Sequence, residues 1–456
     1  MSQELFRPIF VPDELREAVS GRAWLQAMLD AERALAVAEA RAGLIPREAA
    51  ETIASRCDAS REAGLFEPEE IGHKGRATGN PVPPLSRTLT EAVAEVSEDA
   101  ARYVHKGATS QDITDTASML VCRRALDLIL AELDGIAAAC ARIAENNRDT
   151  IMPARTLLQQ ALPTTFGLKA AGWLVSILEA RRRLLDTRAS RLAAQLGGAA
   201  GTLASLGGSG VTVLGEFARE LDLAEPAVPW HTDRTRIAEV GNALSLVAGV
   251  LGKISYDVIL MVQTEVGEVA EPAGEGRGGS STLPHKRNPI LSVTAAASVR
   301  RVQDLSRTLQ GAMVQEHERA ASAWHSEWEA LSDALAFTGG AAAAVRQVVE
   351  GLQVYPERMR ENLDATGGLL LAENVTTVAA ERLGRLKAHD VVEAACHRAL
   401  DEGGETLREE LLKDPEISEA LSEKEIDAAL DPARYLGSTG AFVDRAVDFY
   451  RREVLA

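Results

Sequence analysis

Between Leu244 and Met261 the apolar residues Leu244, Val247, Leu251, Ile254, Val258 and Met261 step by three and four in alternation, which is an a/d heptad seam. A helix carrying that seam from about Ile237 to Gly267 would be roughly 45 Å long at about 1.5 Å per residue. A rod of that length needs partners along it. Alanine-rich segments at 112–148, 163–195, 289–314 and 327–351 can supply them, so a bundle of long helices is predicted. Residues 1–108 read differently, as short helices broken by Gly43, Pro46, Gly64, Pro68 and the run Gly79-Asn80-Pro81-Val82-Pro83-Pro84. Residues 353–456 are again short helices, more charged and punctuated by Gly367-Gly368, Gly403-Gly404, Pro415 and Pro432. The expected organisation is therefore an N-terminal helical domain (1–108), a central long-helix body (109–352) and a C-terminal helical domain (353–456).

Composition supports an all-α fold. Alanine, leucine, glutamate and arginine dominate, and aromatic residues are only 4% of the 456 positions. The net charge of -18 argues against nucleic acid or an anionic membrane surface as the main partner. It does not exclude a locally basic pocket, for which Arg155, Arg234, Arg236, Lys286 and Arg319 are candidates. The four cysteines, Cys57, Cys122, Cys140 and Cys396, are scattered and show no ligand spacing, so reduced thiols are expected. No signal-type apolar core opens the chain and no uninterrupted span approaches the ~20 apolar residues of a membrane helix. A cytoplasmic location is expected.

The chemistry concentrates in a few segments. Gly278-Gly279-Ser280-Ser281-Thr282-Leu283-Pro284-His285-Lys286-Arg287-Asn288-Pro289 joins two glycines, hydroxyls, an ammonium and an amide, a set able to bind and polarise a carboxylate. Read alone it is also a polar surface turn. His105-Lys106-Gly107-Ala108-Thr109-Ser110-Gln111-Asp112 sets a histidine beside a glycine turn and two hydroxyls, where a carboxylate could be held and a proton exchanged. Ser110 would equally well start the first long helix as its N-cap. Arg155 to Thr165 carries an arginine and the amides of Gln159 and Gln160 ahead of Pro163, which is expected in an early helical turn. Trp230 to Arg236 reads as a charged cap on the heptad helix. Gln315 to Arg319, with Trp324 to Glu329, contains histidines near glutamates but no HExxH. Neither a P-loop nor a dinucleotide fingerprint is present. Neither a metal nor a cofactor is expected.

Glycine and paired serines ahead of a proline and Lys286-x-Asn288 resemble the signature loop of the fumarase/aspartase superfamily, and the other segments follow in that superfamily's order over nearly the whole chain. Within it the chain most resembles the bacterial 3-carboxy-cis,cis-muconate cycloisomerase branch. The resemblance rests on Tyr103-Val104-His105 leading into Gly107 to Asp112, Pro229 to Thr232, Gln315 to Arg319 with the tryptophan stretch, Asn362-Leu363-Asp364, and Tyr435-Leu436-Gly437. It implies a three-domain, mostly helical subunit in a homotetramer whose sites gather loops from three subunits. The implied reaction is cofactor-free: a carboxylate of 3-carboxy-cis,cis-muconate adds to a double bond through an enediolate-like intermediate, giving 4-carboxymuconolactone.

The resemblance assigns Ser280 to proton transfer, Lys286 and Asn288 to the oxyanion, and His105 to binding or proton relay. Thr109, Ser110, Gln159, Gln160, Arg236 and Arg319 are expected to hold the di- or tricarboxylate substrate. Two departures qualify this. Gln160 stands where many relatives place a histidine, and glutamine cannot be a general acid. Asp233 and Thr235 stand where relatives tend to carry Gln and Asp. The first favours lactonisation, whose attacking carboxylate is already ionised near pH 7. The alternatives are a lyase acting on a nitrosuccinate- or adenylosuccinate-type substrate with release of fumarate, and a non-catalytic structural oligomer.

Overall fold

The computed structural model describes residues 2–59, 64–274, 278–279, 283, 286–401 and 405–454. The fold is all-α, with two short two-stranded sheets. Its long helices are α1 (Gly21–Arg41), α2 (Ser110–Asn146), α3 (Phe166–Arg191), α4 (Thr235–Val262), α5 (Ile290–Gly311) and α6 (Ala323–Glu350). The last five correspond to the heptad helix and the four alanine-rich segments expected from the sequence, within a few residues at each end.

The heptad seam of α4 is buried throughout: Leu244, Val247, Leu251, Ile254, Val258 and Met261 all lie in the core. Its other face is less covered, with Leu246, Tyr256 and Leu260 exposed. Against the expectation from the sequence, α4 is long and apolar enough to cross a membrane by length and composition alone. The same test is passed by core helices of soluble proteins, and its seam is buried inside the protein.

Chain contacts divide the molecule into two compact units, each assembled from three stretches. The first is Met1–Leu133, Glu179–Gly252 and Thr294–Ala344; the second is Asp134–Leu178, Lys253–Val293 and Val345–Ala456. Each takes a portion of all five helices α2 to α6. In the first unit α4 and α5 approach closely at glycine: a Cβ on Gly241 would lie 2.9 Å from Leu309 Cδ1. In the second, Val375, Ala379, Val392, Leu407, Leu411, Ile417 and Ile426 form a core of their own under the C-terminal helices.

One segment differs from its sequence reading. Pro163 sits in a strand, not a helical turn: Ile151–Thr156 (β1) and Gln159–Thr165 (β2) pair as an antiparallel hairpin, with Arg155 opposite Gln160. Its two-residue turn is Leu157-Leu158, both with positive φ (51° and 68°). Such turns normally take Asn-Gly. No asparagine or glycine marks the turn, so the sequence gives no hairpin signal.

Glycine to alanine usually stabilises an exposed helix position by up to about 1 kcal/mol. At Gly340 in α6 the sign reverses, because a Cβ there would lie 2.0 Å from the backbone oxygen of Phe10. Gly340→Ala is expected to lose about 1–3 kcal/mol, whereas Gly172→Ala, with nothing within 4 Å of its Cβ position, stays neutral or gains. Urea unfolding followed by far-ultraviolet circular dichroism compares the two.

Candidate active site

In the first unit the turn before α2 is tied down by Asp112. Its Oδ2 accepts from Thr109 N (2.9 Å) and Gly198 N (2.9 Å), while Oδ1 accepts from Gly197 N (2.9 Å) and meets His231 Nε2 at 2.7 Å. Ser110 is the first helical residue, and the Asp112 carboxylate caps the turn that Ser110 was expected to cap. Thr109 and Ser110 are thereby held half-buried at the start of α2, where helix N–H groups favour an anion.

Behind this turn lies a fully enclosed ion cluster. Arg234, 1% exposed, donates through Nη1 and Nη2 to Asp115 (2.8 and 3.0 Å) and through Nε and Nη2 to Glu327 (3.0 and 2.5 Å). Trp324 Nε1 and Gln111 Nε2 also donate to Asp115, and Gln315 Nε2 donates to Glu327. Burial opposes the charge on Arg234, but Asp115 and Glu327 overcome it and hold the guanidinium above its ordinary range. Arg234 is thus a spent cation and not the free anion-binding group the sequence offered.

Arg319 is different. Its Nε donates to Gln111 Oε1 (3.1 Å) and its Nη2 to the backbone oxygen of Gly198 (3.4 Å), and no carboxylate partners it among the described residues. Arg236 donates to the backbone oxygen of Arg191 at the end of α3 (3.0 Å). Burial and the nearby Arg191 pull its pKa down.

His105 has a left-handed backbone (φ 59°) and its Nδ1 lies 2.6 Å from Oε1 of Glu32, a buried residue of α1. Burial works against the imidazolium and Glu32 more than offsets it, so His105 titrates above its ordinary range. Glu39, one face of α1 further on, is 0% exposed with neither carboxylate oxygen hydrogen-bonded. Desolvation pushes its pKa up to about 8.

The second unit holds the hairpin and the serine-loop stem. Arg155 makes a bidentate pair with buried Glu268 (2.9 and 2.7 Å), so it too is neutralised. Asn362 donates to the same carboxylate (2.9 Å), and its backbone oxygen accepts from Gln160 Nε2 (3.1 Å). That bond fixes the Gln160 amide with Oε1 as its free atom, buried and unpartnered. Gln159 is exposed beside the hairpin tip.

In the loop, Asn288 N and Nδ2 both donate to the backbone oxygen of Gly278 (2.9 and 3.2 Å), and Gly279 bridges to Arg287. A Cβ at Gly278 would lie 2.6 Å from the Asn288 oxygen, which explains the glycine. Glu271 completes the stem by accepting from Leu291 N, Ser292 N and Ser292 Oγ at the start of α5. Lys286 is exposed on this stem. Ser280 lies outside the described residues.

Glu32, Glu268 and Glu271 were not singled out in the sequence, and Asp115 and Glu327 fell within segments that were, without their arginine partner being foreseen. Glu32 and Glu39 did leave a signal: they interrupt the apolar face that Leu25, Met28, Leu29 and Leu35 give α1. The four cysteines are free, as expected, and burial pushes the Cys122 and Cys140 thiols up to about 12. The metal-compatible triad found among the described residues, His389, Asp390 and Glu393, is solvent-exposed.

Residues 11–303 match the lyase family and residues 368–446 match the adenylosuccinate lyase C-terminus. The chain is 46% identical over 449 residues to a 3-carboxy-cis,cis-muconate cycloisomerase of Bradyrhizobium diazoefficiens, covering 98% of both chains. It is 45% identical over 451 residues to a nitrosuccinate lyase of Streptomyces davaonensis, covering 97% of this chain and 94% of that one. Among solved structures it resembles the 3-carboxy-cis,cis-muconate lactonizing enzyme of Pseudomonas putida, with a TM-score of 0.93, 43% identity and 99% of each chain covered.

Arg234→Met leaves Asp115 and Glu327 buried against each other. The variant is expected to lose about 3–5 kcal/mol of stability above neutral pH. Burial and the Asp115 charge both raise the Glu327 pKa. With Arg234 gone, Gln315 remains as an opposing donor but the guanidinium does not, so the folded state takes up a proton more readily than the unfolded one and part of the loss returns as pH falls. Thermal unfolding across pH measures both effects.

Proposed function

Because the chain belongs to the lyase family of the fumarase/aspartase superfamily, we propose that it is a cofactor-free cycloisomerase converting 3-carboxy-cis,cis-muconate to 4-carboxymuconolactone. The observation that carries this reading is end-to-end similarity to several cycloisomerases, in sequence and fold, combined with retention of the loop bearing Lys286 and Asn288.

The chemistry needs charge holders more than acids. A substrate carboxylate, already ionised, forms a C–O bond at the β-carbon of a conjugated double bond. The displaced electron pair moves into the neighbouring carboxylate as an enediolate. Lys286 and the second Nδ2 hydrogen of Asn288 stabilise that oxyanion where charge develops. Ser280 delivers a proton to the α-carbon and is reprotonated from solvent, so the fully ionised substrate takes up one proton as it closes to the lactone. Thr109, Ser110, Gln159, Arg236, Arg319 and His105 hold the remaining carboxylates, while Gln160 orients the chain.

The enzyme works as a homotetramer with shared sites, in the cytoplasm. Leu157 and Leu158 support this: they are 98% and 76% exposed at a strained turn beside Gln159, where an apolar pair calls for a covering surface. The exposed apolar side chains on α4 support it as well. Four free thiols fit a reducing compartment.

A second reading is favoured by the nitrosuccinate lyase relative, since nitrite leaves without needing a proton from residue 160. Loss of the conjugated-diene absorbance of 3-carboxy-cis,cis-muconate is the expected outcome of the assay; fumarate release from nitrosuccinate with an inert diene would select the lyase. Lys286→Ala is expected to lower kcat about 10²–10³-fold, and Ser280→Ala to remove most turnover while leaving the tetramer intact by light scattering. Near-normal kcat in either variant overturns its assignment.

A further inference from the structure

Beyond the residues expected to touch substrate, α1 supplies a buried carboxylate that acts on one of them. Glu32 is 2% exposed and its Oε1 lies 2.6 Å from His105 Nδ1. His105 Nε2 has no hydrogen bond among the described residues. The histidine is held with φ 59°, a conformation that costs a non-glycine residue energy and persists only where the surroundings over-determine it.

The surroundings do so here. Gly107 follows with φ 75° and packs so closely on Leu206 that a Cβ would lie 2.3 Å from its Cδ2. Asp112 anchors the far end of the turn, and Lys106 Nζ is tied to the Leu44 backbone oxygen (2.9 Å) and lies over the Tyr103 ring. The backbone of the turn is thus fixed from both sides, and the ring itself is fixed through Nδ1 by Glu32.

We propose that Glu32 is a positioning residue for the reaction above: through Nδ1 it keeps the His105 ring in one orientation and in the imidazolium form, presenting Nε2–H to a carboxylate of the substrate. This rests on the reading that His105 faces the substrate. A neutral imidazole bonded to Glu32 through its Nδ1 hydrogen would turn a lone pair at Nε2 toward an anion and repel it. An imidazolium donates from both nitrogens, one to each carboxylate.

The charged groups facing the ring agree with this. Glu32 and Glu39 come from α1, Asp112 from α2, and Lys106 from the turn itself. Glu39 has no hydrogen-bond partner and is held mostly protonated at neutral pH by burial, which leaves Glu32 as the counter-ion in direct contact. Because the His105 pKa is raised in the folded protein, the imidazolium form prevails below that raised value and is lost as pH climbs through it.

The test reads the ring directly. In full-length protein labelled at histidine, the His105 resonance is identified by its absence in His105→Asn, then titrated between about pH 6 and pH 9. The native protein is expected to keep His105 protonated above the ordinary histidine range; a midpoint at or below about 6.5 overturns the proposal. In Glu32→Gln the midpoint should fall by about one unit or more, KM for 3-carboxy-cis,cis-muconate should rise about tenfold at pH 8 with a smaller change in kcat, and Glu32→Asp should recover part of both.

An unmoved midpoint in a folded Glu32→Gln protein overturns the charge-holding role. A lowered midpoint with unchanged KM overturns the link to substrate. If Glu32→Gln does not fold, the native titration still decides. The titration needs no turnover, so failure of the wild-type assay sinks the proposed reaction separately and leaves the Glu32 and His105 pair measurable.

Discussion

One guanidinium holds the first unit's chemistry in place. Arg234 is completely enclosed, and a buried cation is tolerable only when its hydrogens are met by well-placed acceptors. Asp115 on α2 and Glu327 on α6 meet them, the Trp230 backbone oxygen lies 3.4 Å from Nη1, and the Trp230 ring lies under the guanidinium at 4.9 Å. Two carboxylates against one cation would leave a buried negative charge. Indole and amide donors from Trp324, Gln111 and Gln315 spread it. Gln111 then passes its own Oε1 to Arg319, so the cation available to a ligand is placed by the cation that is not.

This separation of spent from unspent cations is the electrostatic principle of the molecule. Arg155 and Arg234 are each locked to carboxylates and serve as struts, one under the hairpin and one under the turn before α2. Arg319 and Lys286 have no such partner among the described residues, and His105 keeps one nitrogen free. A protein of net charge -18 would repel a polycarboxylate at long range. Beyond a Debye length of about 8 Å that repulsion is screened, so the sign near each of these cations is set locally.

A heptad seam made α4 legible, and alanine-rich composition the four other long helices of the body, because helical repeat and propensity are local properties that survive folding. The hairpin was hidden for the opposite reason: Leu157 and Leu158 occupy a turn that local propensity assigns to Asn-Gly, and Pro163 reads as a helix start when it is a strand residue. The serine loop and the turn at Thr109 and Ser110 were readable as donor-rich strings. Their supports were not. Asp115, Glu268 and Glu327 are acidic residues in an acidic chain, and only the fold shows that each is buried against an arginine distant in sequence. Charge partners across the fold leave no local pattern, whereas a glutamate set into an apolar helix face, like Glu32, does.

Gln160 ties the supports to the chemistry. Its amide is oriented by the backbone oxygen of Asn362, whose side chain shares Glu268 with Arg155, and its Oε1 is left buried without a partner. A carboxamide cannot protonate a leaving group, and residue 160 therefore disfavours substrates whose departing group must take a proton from it. Conjugate addition makes no such demand. Its nucleophile arrives ionised, and its intermediate needs fixed positive charge. The lack of an acid at residue 160 is therefore matched to forming a lactone more closely than to expelling an amine.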